Sequence, residues 1–195
     1  MLSTILELGT IVIVCFVLTN IVWTSVRLGM TPTPSSTKAV RAVNSLLTTH
    51  LRGNTVIDLG SGWGTLLFAL AKKHPAISFT GYEVSLFPFL WSRLRCRFLG
   101  LDNCTILRQD FFTVPIKRDA TLVCYLSPGL MAKLKEKLQI ERCDDQLIIT
   151  NTFGIRHQTP LKEIRLQDAF NNRVYAYRFD PDSADFQSNE RQHKQ

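Results

Sequence analysis

The chain has 195 residues, 23 Lys and Arg against 16 Asp and Glu for a formal net charge of +7, 45% hydrophobic residues and five cysteines. That is one modest domain with a core, which argues against a chain that is disordered as a whole and against a multi-domain machine. Cys15, Cys96, Cys104, Cys124 and Cys143 form no CxxC pair and no even framework, so a disulfide scaffold and a zinc ribbon are disfavoured and a reducing compartment fits better.

The apolar content is concentrated at the front. Residues 8–26, LGTIVIVCFVLTNIVWTSV, are 19 positions without a charge, and as a helix they would span about 28 Å, enough to cross a bilayer. Thr10, Thr19, Asn20, Thr24 and Ser25 interrupt the run, but Ser and Thr can bond back to helical carbonyls and Trp23 suits an interface. A cleaved signal peptide is the competing reading. Glu7, the lack of any Lys or Arg before the run and the absence of a small-x-small site after it oppose that reading. A buried core helix is the other alternative, opposed by the lack of a polar face for water. Residues 1–28 are therefore expected to form a single transmembrane anchor in the lipid bilayer. Arg27, Lys38, Arg41 and Arg52 come next, with no acid among residues 27–53. The positive-inside rule then places the carboxyl-terminal domain on the cytoplasmic side of a bacterial inner membrane, or at the mitochondrial inner membrane in a eukaryote. Without Glu7 the remainder carries +8, which suits an anionic leaflet. Nucleic acid is the other usual partner for such charge and is not expected for a tethered chain.

Residues 29–36, GMTPTPSS, read as a linker in which Pro32 and Pro34 hold the chain extended and Ser35 or Ser36 caps the next helix. Val40, Val43, Leu47 and Leu51 then recur at helical spacing over 38–51, ended by Gly53 and Asn54. Beyond them the pattern alternates, with strands expected over 55–59, 78–83, 104–108, 122–126 and 146–150, and helices over 64–73, 86–99 and 129–138. Such alternation specifies a parallel α/β sheet covered on both faces. Residues 162–167 and 173–179 alternate around the turn AFNN with no helix between, an antiparallel hairpin closing the sheet. Residues 180–195 carry four acids and two strong bases and are expected to be a disordered tail.

The strand over 55–59 runs directly into GSGWG. Glycine is needed where backbone must meet a ligand without a Cβ in the way, and the following helix amino terminus offers free N–H groups to an anion. The next strand ends in Glu83, 23 residues after Gly60, where a carboxylate can accept both hydroxyls of a ribose. Glycine loop and acidic strand end together point to an adenosine cofactor. The dinucleotide fingerprint GxGxxG is not met, because the third glycine comes one residue early and Thr65 stands where that motif needs glycine or alanine.

With Asp58 ahead of Gly60, Gly62 and Gly64, the string DLGSGWG resembles motif I of the class I S-adenosylmethionine-dependent methyltransferases. The resemblance implies a Rossmann-like seven-stranded sheet of order 3-2-1-4-5-7-6 with the last strand antiparallel, and S-adenosyl-L-methionine as cofactor. It implies that Asp58, Gly60, Ser61, Gly62, Trp63 and Gly64 bind the cofactor, with bracing of the loop as the alternative for Asp58 and packing for Trp63, that Glu83 in GYEVS binds its ribose, and that Asp110 in RQDFF lies beside the adenine amino group. The anchor, the PTP linker, GYEVS and YLSP at the fourth strand resemble, more narrowly, the membrane-anchored lysine methyltransferases related to the ATP synthase c-subunit lysine N-methyltransferase. That implies a membrane-protein substrate, a cofactor-covering helix within 29–54 and a methyltransferase domain over 55–179. No helix is expected between the fifth and sixth strands.

Methyl transfer needs an uncharged nucleophile held about 3 to 3.5 Å from a sulfonium methyl, with water excluded. Tyr125, Ser127 and Pro128 replace the asparagine-proline-proline-tyrosine pattern of other amino methyltransferases, so Tyr125 and Pro128 are the expected catalytic positions, with packing on a strand as the alternative for Tyr125. Around WSRLRCRF, Phe87, Leu90, Trp91, Leu94 and Phe98 form an apolar stripe, while Arg93 and Arg97 share a face expected to be solvated, with a lipid or substrate patch as the alternative. Lys133, Lys135 and Lys137 read the same way. His50, His74, His157 and His193 have no metal-ligand spacing, so no metal is expected. A lipid or quinone methyltransferase and a non-catalytic cofactor-binding assembly factor remain the competing functions.

Overall fold

The structure, a computed structural model, describes residues 34–182 and positions 3, 4, 6–12, 14, 17, 19 and 22. In chain order the elements are α1 (Thr37–His50), β1 (Thr55–Leu59), α2 (Thr65–Lys73), β2 (Ser78–Tyr82), α3 (Leu86–Phe98), β3 (Cys104–Leu107), a 3-10 turn (Phe111–Thr113), β4 (Thr121–Cys124), α4 (Pro128–Ile140), β5 (Gln146–Asn151), β6 (Lys162–Arg165) and β7 (Arg173–Phe179). They build one seven-stranded sheet of order β3-β2-β1-β4-β5-β7-β6. The pairs β3·β2, β2·β1, β1·β4 and β4·β5 are parallel, while β7 runs antiparallel to both β5 and β6. This is the expected Rossmann-like α/β sheet, with its last strand antiparallel.

Strands β1, β4 and β5 are buried along their whole length, as parallel strands covered on both faces must be. Alternate residues divide between two cores. Val56 of β1 and Val123 of β4 pack with α1, α2 and α3, whereas Ile57, Leu59, Leu122 and Cys124 pack with Met131, Leu134 and Leu138 of α4. Among the described residues, α1, α2 and α3 thus cover one face and α4 covers the other.

Helix α1 begins where Ser36 caps it, its Oγ accepting from the Ala39 N–H at 3.2 Å. Val40, Val43, Leu46 and Leu47 bury themselves against β5, β7 and α2, so this helix shares the core of the sheet. His74 Nε2 and Asn44 Oδ1, 3.0 Å apart, tie it to the end of α2.

Strand β4 ends at Cys124, earlier than the expected 122–126. Helix α4 opens at Pro128 after Ser127, its N-cap, with φ −61° and ψ 158°, which leaves residues 125–127 as the connection. Tyr125 therefore lies in the β4–α4 loop and not on a strand. Helix α3 differs in its rotation. Its buried residues are Pro88, Phe89, Ser92 and Cys96, and the expected stripe of Leu90, Trp91, Leu94 and Phe98 is exposed together with Arg93 and Arg97. Phe89 and Cys96 join Cys104 and Ile106 of β3 in the core, and Cys96 Sγ donates to the Cys104 carbonyl at 3.4 Å. Lys137 also departs from its expected solvated face: half-buried, it pairs with Glu141 and donates to the Phe112 carbonyl at 3.2 Å.

Among the described residues no helix is long and apolar enough to cross a membrane. The described positions between 3 and 22 are helical; the rest of the expected anchor, including residues 23–28, lies outside the described residues, as do residues 183–195 of the expected tail. Between β5 and β6 the chain forms no helix.

Candidate functional site

Parallel strands β1 to β4 deliver their carboxyl ends to one edge, and the winding reverses between β1 and β4, the position where open α/β sheets form a crevice. The glycine loop lies there. Gly60, Gly62 and Gly64 have φ of 84°, 53° and 74°, left-handed values that cost other residues about 1–2 kcal/mol each. The Gly60 and Ser61 N–H groups both donate to the Tyr82 carbonyl, at 3.0 and 2.8 Å, which pins the loop to the end of β2. Gly81 allows that approach, since a Cβ there would lie 2.7 Å from Ser61 Oγ. Ser61 Oγ is itself buried without a hydrogen-bond partner, and Trp63 is half-buried in the same loop.

Two buried carboxylates face this loop from the strand ends. Glu83 accepts from the Gly62 N–H on Oε2 at 2.8 Å and from the Ser85 N–H on Oε1 at 2.7 Å, joining the loop to the start of α3. Asp58, beside Gly81 on β2 and Val123 on β4, is pushed up to about 7, first by burial and then by the charge of Glu83. Among the described residues no hydrogen bond offsets that burial. The other expected residues flank the crevice. Asp110, exposed beyond β3, accepts from the Phe112 N–H at 2.9 Å and caps the 3-10 turn. Tyr125 is half-buried just beyond β4, and Pro128 is exposed at the first turn of α4.

Asp58 makes stability depend on pH. Its carboxyl has an ordinary value of 3.8 in the unfolded chain and about 7 in the folded one, so across that interval the native state holds a proton that the unfolded state has released. Stability then falls as pH rises from about 4 through 7. Urea unfolding at several pH values should show this decline in the wild type and a flatter profile in Asp58→Asn. Parallel profiles would remove Asp58 as its source.

Three contributors were not apparent from residue types alone: the Tyr82 carbonyl, the Ser85 N–H and Gly81. Only Gly81 leaves a trace in the sequence, as a glycine inside a strand pattern two residues before Glu83, the usual mark of close backbone approach.

The model of the ANTKMT methyltransferase domain family matches residues 58–162. The ATP synthase c-subunit lysine N-methyltransferase of Homo sapiens is 31% identical over 154 residues, covering 78% of this chain and 64% of that protein. Its Xenopus laevis counterpart is 30% identical over 154 residues, covering 78% and 66%. The matched part thus spans just under two thirds of these relatives. Among solved structures, an RNA methyltransferase from Salinibacter ruber in complex with S-adenosyl-L-homocysteine superposes with a TM-score of 0.65 at 22% identity, covering 74% of this chain and 92% of that one. At that identity the likeness is one of fold.

Proposed function

Because the chain belongs to the ANTKMT methyltransferase domain family, we propose that it is an S-adenosylmethionine-dependent protein-lysine N-methyltransferase acting on a membrane-associated protein. The observation that carries this reading is the buried Glu83 carboxylate bonded to the Gly62 N–H of a loop with three left-handed glycines. Relatives named as lysine N-methyltransferases, aligned over 78% of the chain, support the choice of amine.

The residues present fit the cofactor. A loop pinned open at Gly60 and Ser61, a buried hydroxyl without a partner on Ser61, and two carboxylates at the strand ends suit a ligand with hydroxyls to donate and positive charge to place. When bound, S-adenosylmethionine supplies an electrophilic methyl on a sulfonium whose leaving group is a neutral thioether. Each oxygen of Glu83 keeps acceptor capacity beyond its present bond and takes the ribose hydroxyls. Gly60, Gly62 and Gly64 let backbone approach the ligand, Asp58 offers negative charge to its cationic end, Trp63 covers it, and Asp110 stands on the adenine side. Tyr125 and the carbonyls near Leu126 orient the substrate amine, while Pro128 sets the direction of α4 beside it. A lysine amine must be uncharged to attack, against an ordinary pKa of about 10.4, and an apolar channel around it lowers that value.

Support for a membrane tether comes from the sequence. Residues 1–28 tether the chain, residues 29–54 hold the linker and α1, which packs on the domain over 55–179, and the positive flank faces the domain toward the cytoplasmic or equivalent organellar side. Incubating the full chain with membranes and cofactor labelled in its methyl group, then separating protein from lipid extract, tests the reading. Label is expected in protein lysine, and Tyr125→Phe should lower the rate severalfold with cofactor affinity unchanged. Label confined to lipid would establish the lipid or quinone reading instead, and cofactor binding without any transfer would establish the assembly-factor one.

A further inference from the structure

We infer that the outer face of α3 is a docking surface for an anionic phospholipid bilayer. At 3.6 residues per turn, Leu90, Leu94, Phe98 and Trp91 fall within an arc of about 100°, opposite Phe89, Ser92 and Cys96, which pack on the sheet. That arc is open: Trp91 is 54% exposed, Leu94 51% and Phe98 81%. Arg93 and Arg97 border it on one side and Arg95 on the other, all exposed. Contiguous exposed apolar surface of this kind marks an interaction site.

Charge complementarity identifies the occupant. Helix α3 contains no acidic residue, and among the described residues Arg93, Arg95 and Arg97 form no ion pair. Arg93 and Arg95 instead rest near the rings of Phe89 and Phe68, at 5.9 and 5.8 Å from their centroids. Arg108 adds a fourth cation across a groove of about 460 Å³ between α3 and β3, whose lining also includes Asp102. Leu, Trp and Phe on one arc with Arg on both borders is the arrangement of a helix lying in the headgroup plane: the apolar arc enters the acyl boundary while the guanidiniums reach lipid phosphates. Helix α3 starts directly after Ser85, whose N–H holds Glu83, so one end of this surface adjoins the candidate site. Lipid docking on this face does not depend on methyl transfer.

The test uses the full chain in vesicles of phosphatidylglycerol and phosphatidylcholine, with a photoreactive residue introduced as Phe98→p-benzoylphenylalanine. Adducts are identified by mass spectrometry. Ile140, 74% exposed on α4 and so on the opposite side of the sheet, carries the same probe as the control for mere tethering. Phe98 should give mainly lipid adducts and Ile140 few. Each basic residue at an anionic surface contributes about fivefold in partitioning, so Arg93→Glu with Arg97→Glu, or phosphatidylcholine alone, should reduce the Phe98 lipid adduct at least tenfold while vesicle flotation is retained. Circular dichroism checks that these surface variants fold. Adducts to this chain's own residues 1–33, to a second copy or to another protein would overturn the inference, as would lipid adducts equal at Phe98 and Ile140 or insensitive to charge.

Discussion

Glu83→Ala is expected to weaken cofactor binding by at least about a hundredfold and to abolish measurable methyl transfer. Hydrogen bonds to a charged acceptor contribute about 1.5–3 kcal/mol each, so two ribose hydroxyls on one carboxylate amount to about 3–6 kcal/mol, or two to four powers of ten in affinity. The loss extends to the free protein. Glu83 joins the Gly62 N–H to the Ser85 N–H, and its removal strands both donors, one in the glycine loop and one at the start of α3. An unfolding free energy lower by about 1–3 kcal/mol should accompany the loss of affinity. Asp58 should respond as well, because the Glu83 charge helps hold its carboxyl near 7; without it that value falls, though burial keeps it above 3.8. Calorimetry with S-adenosylhomocysteine, urea unfolding and the pH profile of stability read the three effects separately. Affinity within threefold of wild type would remove Glu83 from the ribose site, whatever happened to stability.

Gly64→Ala should be the most destabilising single methyl group in the loop. A Cβ at this position would lie 2.3 Å from Phe68 Cζ and 2.4 Å from Cε2, with φ at 74°. The left-handed backbone alone costs about 1–2 kcal/mol, and displacing a buried ring from a packed core adds about 1–3 kcal/mol. Phe68 cannot swing aside freely, since it is buried and Arg95 sits over its ring. Gly100→Ala provides the comparison: φ is 60° there, but nothing lies within 4 Å of the added carbon. Thermal and urea unfolding should show a larger loss for Gly64→Ala, by about the cost of moving Phe68, with cofactor affinity reduced only in that variant. Equal losses at the two sites would mean that the contact with Phe68 relaxes without cost.

Much of this architecture is legible because it is encoded locally. The alternation of strand and helix, the glycine cluster after β1, the acid at the end of β2 and the hairpin around AFNN are each set by a few neighbouring residues whose backbone preferences hold in any context. The sheet order follows only from the likeness to motif I, since the residues that pair across strands carry no mark of their partners. Tyr125 reads as a strand residue because apolar, β-favouring side chains run through 122–126, whereas the strand ends at Cys124 and α4 opens at Pro128.

Helix α3 shows where local information stops. With apolar residues on more than one side, its sequence contains two possible inner faces, and the longer stripe, Leu90 to Phe98, is the natural choice. The sheet takes the other. Cys104 and Ile106 on the edge strand accept Phe89 and Cys96, and the helix start is held by the bond from Ser85 to Glu83, so its rotation is settled by surfaces distant in the chain. Asp58 is a second case. A lone aspartate before a glycine loop reads as an ordinary anion, whereas burial between β2 and β4 beside Glu83 raises it to about 7. By itself the sequence determined which elements form and that a nucleoside-type loop comes after the first strand, because those depend on backbone preference at neighbouring positions. Only the tertiary structure decided which face of α3 meets solvent and how strongly Asp58 holds its proton, because packing and desolvation depend on atoms that the chain brings together from far apart.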